Sequence, residues 1–160
     1  DRLAFIFHRP YFFGKTFTSI VVQGVYRGDK IVDYFNFIGN GFGYNVVKGC
    51  CLNTLEPMTK KNQNDIDKII NTQSKKFYST LINRKYPKPS LFELMIFRMA
   101  RTSIKLMLNE SWRDYMYYSQ KGWFESDFYY PVHLNFFKRM TGKILDVLFT
   151  SIYRKRAAGN

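Results

Sequence analysis

The spacing of apolar positions changes several times along the chain, and each change marks a new element. Phe17-Thr18-Ser19-Ile20-Val21-Val22-Gln23 is short, rich in β-branched residues and bounded by Gly24, which predicts a strand covered on both faces, as in a parallel sheet. After Gly28 the period lengthens. Ile31, Phe35, Ile38 and Phe42 recur every three or four residues, predicting an amphipathic helix with Asp29 placed to cap it and Gly39, Gly41 and Gly43 at its end. Tyr44-Asn45-Val46-Val47-Lys48-Gly49-Cys50-Cys51-Leu52 then reads as a second strand. Strand, helix and strand in succession predict a βαβ unit, for which a right-handed crossover is the expected connection.

The flanks follow the same logic. Residues Asp1–Phe7 read as the end of a helix, stopped at His8-Arg9-Pro10 because a residue before proline disfavours the α region. Thr59 is placed to cap a further helix carrying Ile66, Ile70, Phe77 and Leu81 on one side. A domain boundary falls at Asn83–Pro89, where Tyr86-Pro87-Lys88-Pro89 is extended, and it divides the chain into residues 1–85 and 86–160. Ser90-Leu91-Phe92-Glu93 is a capping box opening a helix that runs to about Asn109, with Arg98, Arg101 and Lys105 on one ridge. Each of these charges costs ~2.5–3.5 kcal/mol at a bilayer centre, which argues against a transmembrane span. Trp112–Pro131 is aromatic without a clear period. Phe136–Tyr153 returns to a helical stripe of Phe136, Met140, Ile144, Val147 and Phe149 beside Lys138, Arg139 and Lys143, ahead of the basic tail Arg154-Lys155-Arg156.

At 160 residues and 46% hydrophobic the chain is long enough for one domain with a core plus an extension, and 19% aromatic residues imply a large apolar surface to bury. The net charge of +13 is uneven: residues 1–74 carry +3 and residues 75–160 carry +10. Such an excess favours contact with anions without specifying fold. The two cysteines, Cys50 and Cys51, are adjacent, so on a strand they face opposite ways and read as small apolar residues rather than a redox pair. No CxxC or metal-ligand spacing surrounds them, no metal site is predicted, and a reducing cytoplasmic compartment fits their use. His8 and His133 read as loop or packing residues, and Glu125 and Asp127 have nothing nearby to make an acid/base pair; no catalytic residue is predicted.

In an open doubly wound sheet, ligands bind outside the carboxyl ends of the strands, where the Gln23–Asp29 loop lies. Its glycines permit close approach to a flat ring, Tyr26 is placed to flank one, and amides at the following helix start face electronegative atoms. Taken alone, the loop reads more readily as a plain connection whose glycines only make the turn and whose Asp29 only caps the helix.

Asp1-Arg2-Leu3-Ala4-Phe5, His8-Arg9-Pro10, Phe13-Gly14-Lys15, the strand Thr18–Gln23 and the run from Gly43 through Val46-Val47 to Gly49 resemble the C-terminal half of the flavodoxin-fold, NAD(P)H-dependent FMN reductases. The resemblance covers roughly residues 1–82. It implies an α/β fold in which residues 1–85 are the C-terminal half of a flavodoxin-like doubly wound parallel sheet, strands four and five with flanking helices, followed by a mainly helical, basic, aromatic-rich extension over 86–160. It further implies FMN as cofactor, NAD(P)H as co-substrate and a small-molecule electron acceptor. Of the family's three FMN loops only the last has a counterpart, in Gln23, Gly24, Val25, Tyr26, Gly28 and Asp29, whose role would be to contact the ring edge. Because the phosphate and strand-three loops have no counterpart and the chain opens at Asp1, the chain reads as the C-terminal part of a larger NAD(P)H oxidoreductase. The contrasting reading is an anionic-surface module, for membrane or nucleic acid, built on Arg98, Arg101, Lys105, Lys138, Arg139, Lys143 and the basic tail. A third is a homodimerisation element, since flavin reductases of this kind often complete their site from a second subunit.

Overall fold

The computed structural model describes residues 3–24, 26–83 and 85–158. It is mixed α/β and mainly helical, in the order α1 (Phe5–His8), β1 (Thr16–Phe17), β2 (Ile20–Gln23), α2 (Gly28–Phe42), β3 (Asn45–Val46), β4 (Cys50–Asn53), α3 (Lys60–Ile82), α4 (Leu91–Met107), α5 (Arg113–Gln120) and α6 (Phe136–Ala158). Pro10–Tyr86 form one compact unit, the sheet unit; the residues up to Arg9 and from Pro87 onward form the other, the helical unit. The short α1, with which the sequence reading opened the sheet domain, groups with the helical unit, where Arg9 Nε lies 3.0 Å from Asp114 Oδ1.

In the sheet unit, β1 pairs with β3 and β2 with β4, both parallel. Each predicted strand is thus interrupted once. Thr16 faces Asn45, but Ile20 faces Cys50, so the offset between partners grows by one residue across the break. The second strand therefore carries one extra residue, a bulge. Gly49 makes it possible, because a Cβ there would collide with Ser19. Val47 N donates to Phe17 O and Cys50 N to Ser19 O, so the ladder resumes on both sides of the bulge.

Helix α2 covers one face of these strands, but not through the stripe expected from its bulky residues. Its buried positions are Gly28, Val32, Gly39 and Phe42, whereas Ile31 and Phe35 are exposed. A Cβ at Gly39 would lie 2.8 Å from Phe17 Cδ1 and 2.9 Å from Val46 Cγ2, and one at Gly28 would strike Cys51 Sγ. The helix backbone approaches the strands so closely that only glycine fits, which rotates the contact face away from the larger side chains. Gly43 ends the helix in the left-handed conformation, at φ 92°.

The expectation that the first strand is covered on both faces is not met. Val21 is buried under α2, while Ile20 and Val22 on the other face are more than half exposed. Helix α3 lies against β4 and β1, burying Leu52, and leaves Ile20 and Val22 of β2 exposed. Thr59 caps α3 as expected, accepting from Asn62 N at 3.1 Å. The helix is fastened to the sheet by a polar group: buried Gln73 donates to Thr18 Oγ1 at 2.6 Å and to Lys48 O at 2.8 Å, both within the strand break.

In the helical unit the capping box forms as predicted: Glu93 N donates to Ser90 Oγ and Ser90 N to Glu93 Oε2. The aperiodic aromatic segment contains α5 and then turns that carry much of the core. Tyr118, Trp123 and Phe128 are buried beside Leu94 and Phe97 of α4, and Tyr129 joins them with ring centroids 4.5 Å from Phe97 and 4.8 Å from Trp123, edge to face. Trp123 Nε1 donates to Tyr129 O at 2.9 Å, satisfying the indole within the cluster. The Tyr118 and Tyr129 hydroxyls bond each other, and burial drives both phenols above their ordinary range.

Helices α4 and α6 pack together over a buried cation. Arg98 is almost fully enclosed, its guanidinium against Gly142 of α6, and it pairs with Asp127 and Asp146; Arg101 shares Asp146 and donates to Ser126 O. Arg98 Nε is left without a hydrogen-bond partner there. Because Gly142 carries the contact, most of the predicted stripe of α6 faces outward: Phe136, Met140, Ile144 and Val147 are exposed, while Phe149 is half-buried.

Three stability outcomes follow. Gly39→Val is expected to lower the unfolding free energy by roughly 1–3 kcal/mol, read as a lower urea midpoint, because Phe17 and Val46 must give way. Asp146→Ala, which leaves buried Arg98 short of a carboxylate, is expected to cost ~3 kcal/mol. Arg98→Met is expected to cost less, because the carboxylates it frees are 63% and 28% exposed and stay hydrated.

Candidate functional site

Strands β2 and β4 end level, Gln23 opposite Asn53, and the chain after Gln23 crosses their carboxyl ends before α2 begins. One side chain organises this crossing. Gln23 Nε2 donates to Asn53 Oδ1 at 2.7 Å, and Gln23 Oε1 accepts from Gly28 N at 2.5 Å, so a single amide ties both strand ends to the first residue of the helix. Thr54 N donates to Gln23 O at 2.9 Å, carrying the ladder one residue further. Gly28 must be glycine for this, because its position is already filled by the Gln23 side chain and Cys51 Sγ.

The expected site residues thus separate into two kinds. Gln23 and Gly28 build the loop and are engaged with each other. Gly24 and Tyr26 are exposed: an added Cβ at Gly24 would meet nothing within 4 Å, and the Tyr26 ring is 70% exposed. Val25 lies outside the described residues. Asp29, expected as the cap, sits instead in the first turn of α2, where its charge complements the helix dipole. The cap position belongs to Arg27, which adopts the left-handed conformation at φ 69° and gives no side-chain cap bond. The first amide of the helix is capped from a distance, by Gln23 of the strand.

Arg27 and Asn53 were not singled out from the sequence. Arg27 is a non-glycine residue held at positive φ, an uncommon state that concentrates at functional positions, and its guanidinium stands 5.5 Å from the Tyr26 ring centroid. Asn53 becomes visible only once strand register is known, being thirty residues from Gln23. The surface of the loop therefore offers an unobstructed glycine, an aromatic ring and a cation, on a base fixed by one amide.

The basic ridge of α4 is placed quite differently. Arg98 and Arg101 are spent on Asp127 and Asp146, and Lys105 Nζ reaches Glu125 Oε1 at 2.6 Å, which holds that carboxyl below its ordinary range. Lys138 donates to Pro89 O at 2.6 Å. These four residues are thus each engaged in an ion pair or hydrogen bond within the helical unit. Glu125 and Asp127 act as their counterions. Cys50 and Cys51 are free thiols, half-buried, and Cys50 is pushed up by burial and by its neighbour. Among the described residues no cluster of His, Cys, Asp or Glu is arranged to hold a metal, and no helix is long and apolar enough to cross a membrane.

Gln23→Leu should leave Gly28 N without its acceptor and Asn53 without its donor. Faster hydrogen exchange at the Gly28 amide, with a stability loss of about 1–2 kcal/mol, is the expected result; unchanged exchange would show that the loop is held otherwise. No family model, curated protein or solved structure matches the chain.

Proposed function

We propose that the sheet unit is the C-terminal half of a flavodoxin-like doubly wound sheet, and that its Gln23–Asp29 loop is the ring-side wall of an FMN site in an NAD(P)H-dependent oxidoreductase. One observation carries the reading: at the level carboxyl ends of two parallel strands, the loop is fixed by Gln23 yet leaves Gly24 and Tyr26 open. Ligands of open α/β sheets settle at that end of the strands. The fit is to a flat, electron-poor ring. Gly24 allows the ring's edge to approach the backbone, and Tyr26 can lie along its face or rim.

FMN supplies, when bound, the capacity to take hydride from a nicotinamide and pass electrons to an acceptor. The chain's own contribution is orientation and electrostatics. Gln23 holds the loop's height against the strands, so that Gly24 presents backbone rather than side chain to the ring. Arg27, pinned at positive φ beside Tyr26, brings a positive charge that favours electron density on a ring held there. With the Gly28 amide committed to Gln23, the ring contacts fall to Gly24, Tyr26 and the exposed part of Asp29.

Expressed from its complete reading frame, the protein is expected to bind FMN with visible flavin absorption and to oxidise NAD(P)H only with flavin present. Tyr26→Ala and Gly24→Val should each weaken FMN binding by roughly tenfold without shifting the unfolding midpoint, since neither side chain supports the fold. Protein that purifies colourless, takes up no FMN on titration and oxidises no NAD(P)H would overturn the proposal.

A further inference from the structure

Helix α6 presents its apolar stripe to solvent and hides a glycine face. Gly142, opposite the stripe, is occupied by the Arg98 guanidinium. At 100° per residue, Phe136, Met140, Ile144, Val147, Leu148 and Ile152 fill one arc of roughly 160°. All six are exposed, Val147 by 73% and Phe136 by 79%. Arg139, Lys143 and Arg154 lie along one border of that arc and Arg156 just beyond the other, while Lys155, in the last turn, falls inside it with Thr141 and Ser151. The helix has one acidic residue, Asp146, and its carboxylate is held by Arg98 and Arg101. The outward surface is therefore apolar with a cationic border and no opposing charge.

We infer that α6 docks in the plane of an anionic lipid surface, its apolar arc at the headgroup–acyl boundary and its Arg and Lys border among the lipid phosphates. An exposed apolar helix face edged by Lys and Arg is the pattern of interfacial helices, whose binding joins apolar burial to attraction for anionic lipid. The charge distribution selects this occupant over the others. A second copy of α6 would set the 139–143 cations against themselves or against the 154–156 cations in either orientation, with no free carboxylate to offset them. A nucleic acid would leave the apolar arc unburied. The helix is about 34 Å long by its 1.5 Å rise, and it lies on the surface rather than across it, since it is not apolar enough to span.

The test is co-sedimentation of the whole chain with phosphatidylglycerol vesicles and with phosphatidylcholine vesicles, at low and high salt. Binding to the first, at least tenfold weaker on the second and falling with salt, is expected. Val147→Glu and, independently, Ile144→Glu should abolish it; both residues are exposed, so circular dichroism and the unfolding midpoint should stay unchanged. Lys143→Glu should weaken it. No co-sedimentation at low salt, equal binding to both vesicles, or binding untouched by both Glu variants would overturn the inference. So would a dimer, seen by analytical ultracentrifugation and dispersed by Val147→Glu, in a chain that ignores the vesicles.

Discussion

The two units share one constraint: their closest approaches fall at glycines, with no room for a side chain at Gly28, Gly39 and Gly49 and a tight fit at Gly142. Gly28 and Gly39 bring α2 onto the strands, Gly49 lets the second strand bulge against Ser19, and Gly142 makes room for the Arg98 guanidinium. A glycine in a helix interior costs about 1 kcal/mol in propensity against alanine. The loss is offset by what the close approach permits, namely short contacts to Phe17 and Val46 in one unit and an enclosed ion pair in the other. Both arrangements turn the bulky apolar residues of α2 and α6 partly or wholly away from the core.

That geometry explains which parts of the architecture were legible in the sequence. Capping chemistry is local, so Thr59 and the Ser90–Glu93 box were readable from residues three apart. The succession of strand, helix and strand was likewise readable, because β-branched runs and a helical period alternate between Phe17 and Leu52. The buried faces of α2 and α6 were not. Periodicity assigns the core to large apolar side chains, and here the closest contacts run through Gly28, Gly39 and Gly142, with Val32 and Phe42 the buried apolar residues of α2. The segment Trp112–Pro131 hid α5 for a different reason: its rings pack around turns, in a cluster with no repeating direction.

The candidate loop was legible as a place but not as a mechanism of support. Two glycines before a helix marked it, yet the residue that shapes it is the last of the strand, acting on a partner thirty residues away. Charge was misleading in a comparable manner. Arg98, Arg101 and Lys105 fall on one ridge, as their spacing says, but that ridge faces Asp127, Asp146 and Glu125, which no sequence period links to them. Of the cations in the anionic-surface reading, Arg139, Lys143 and the 154–156 run of α6 face outward.

The Gln23 amide has a consequence for how this loop can change over time. It joins three backbone segments, and its bond to Asn53 exists only because the bulge at Val47–Gly49 resets the strand pairing by one residue. An insertion or deletion on either side of that bulge would bring a different residue opposite Gln23 and release the start of α2. Substitutions at Gly24 or Tyr26 disturb none of these bonds. The loop is thus divided into a part free to vary and a part held to the register of the sheet.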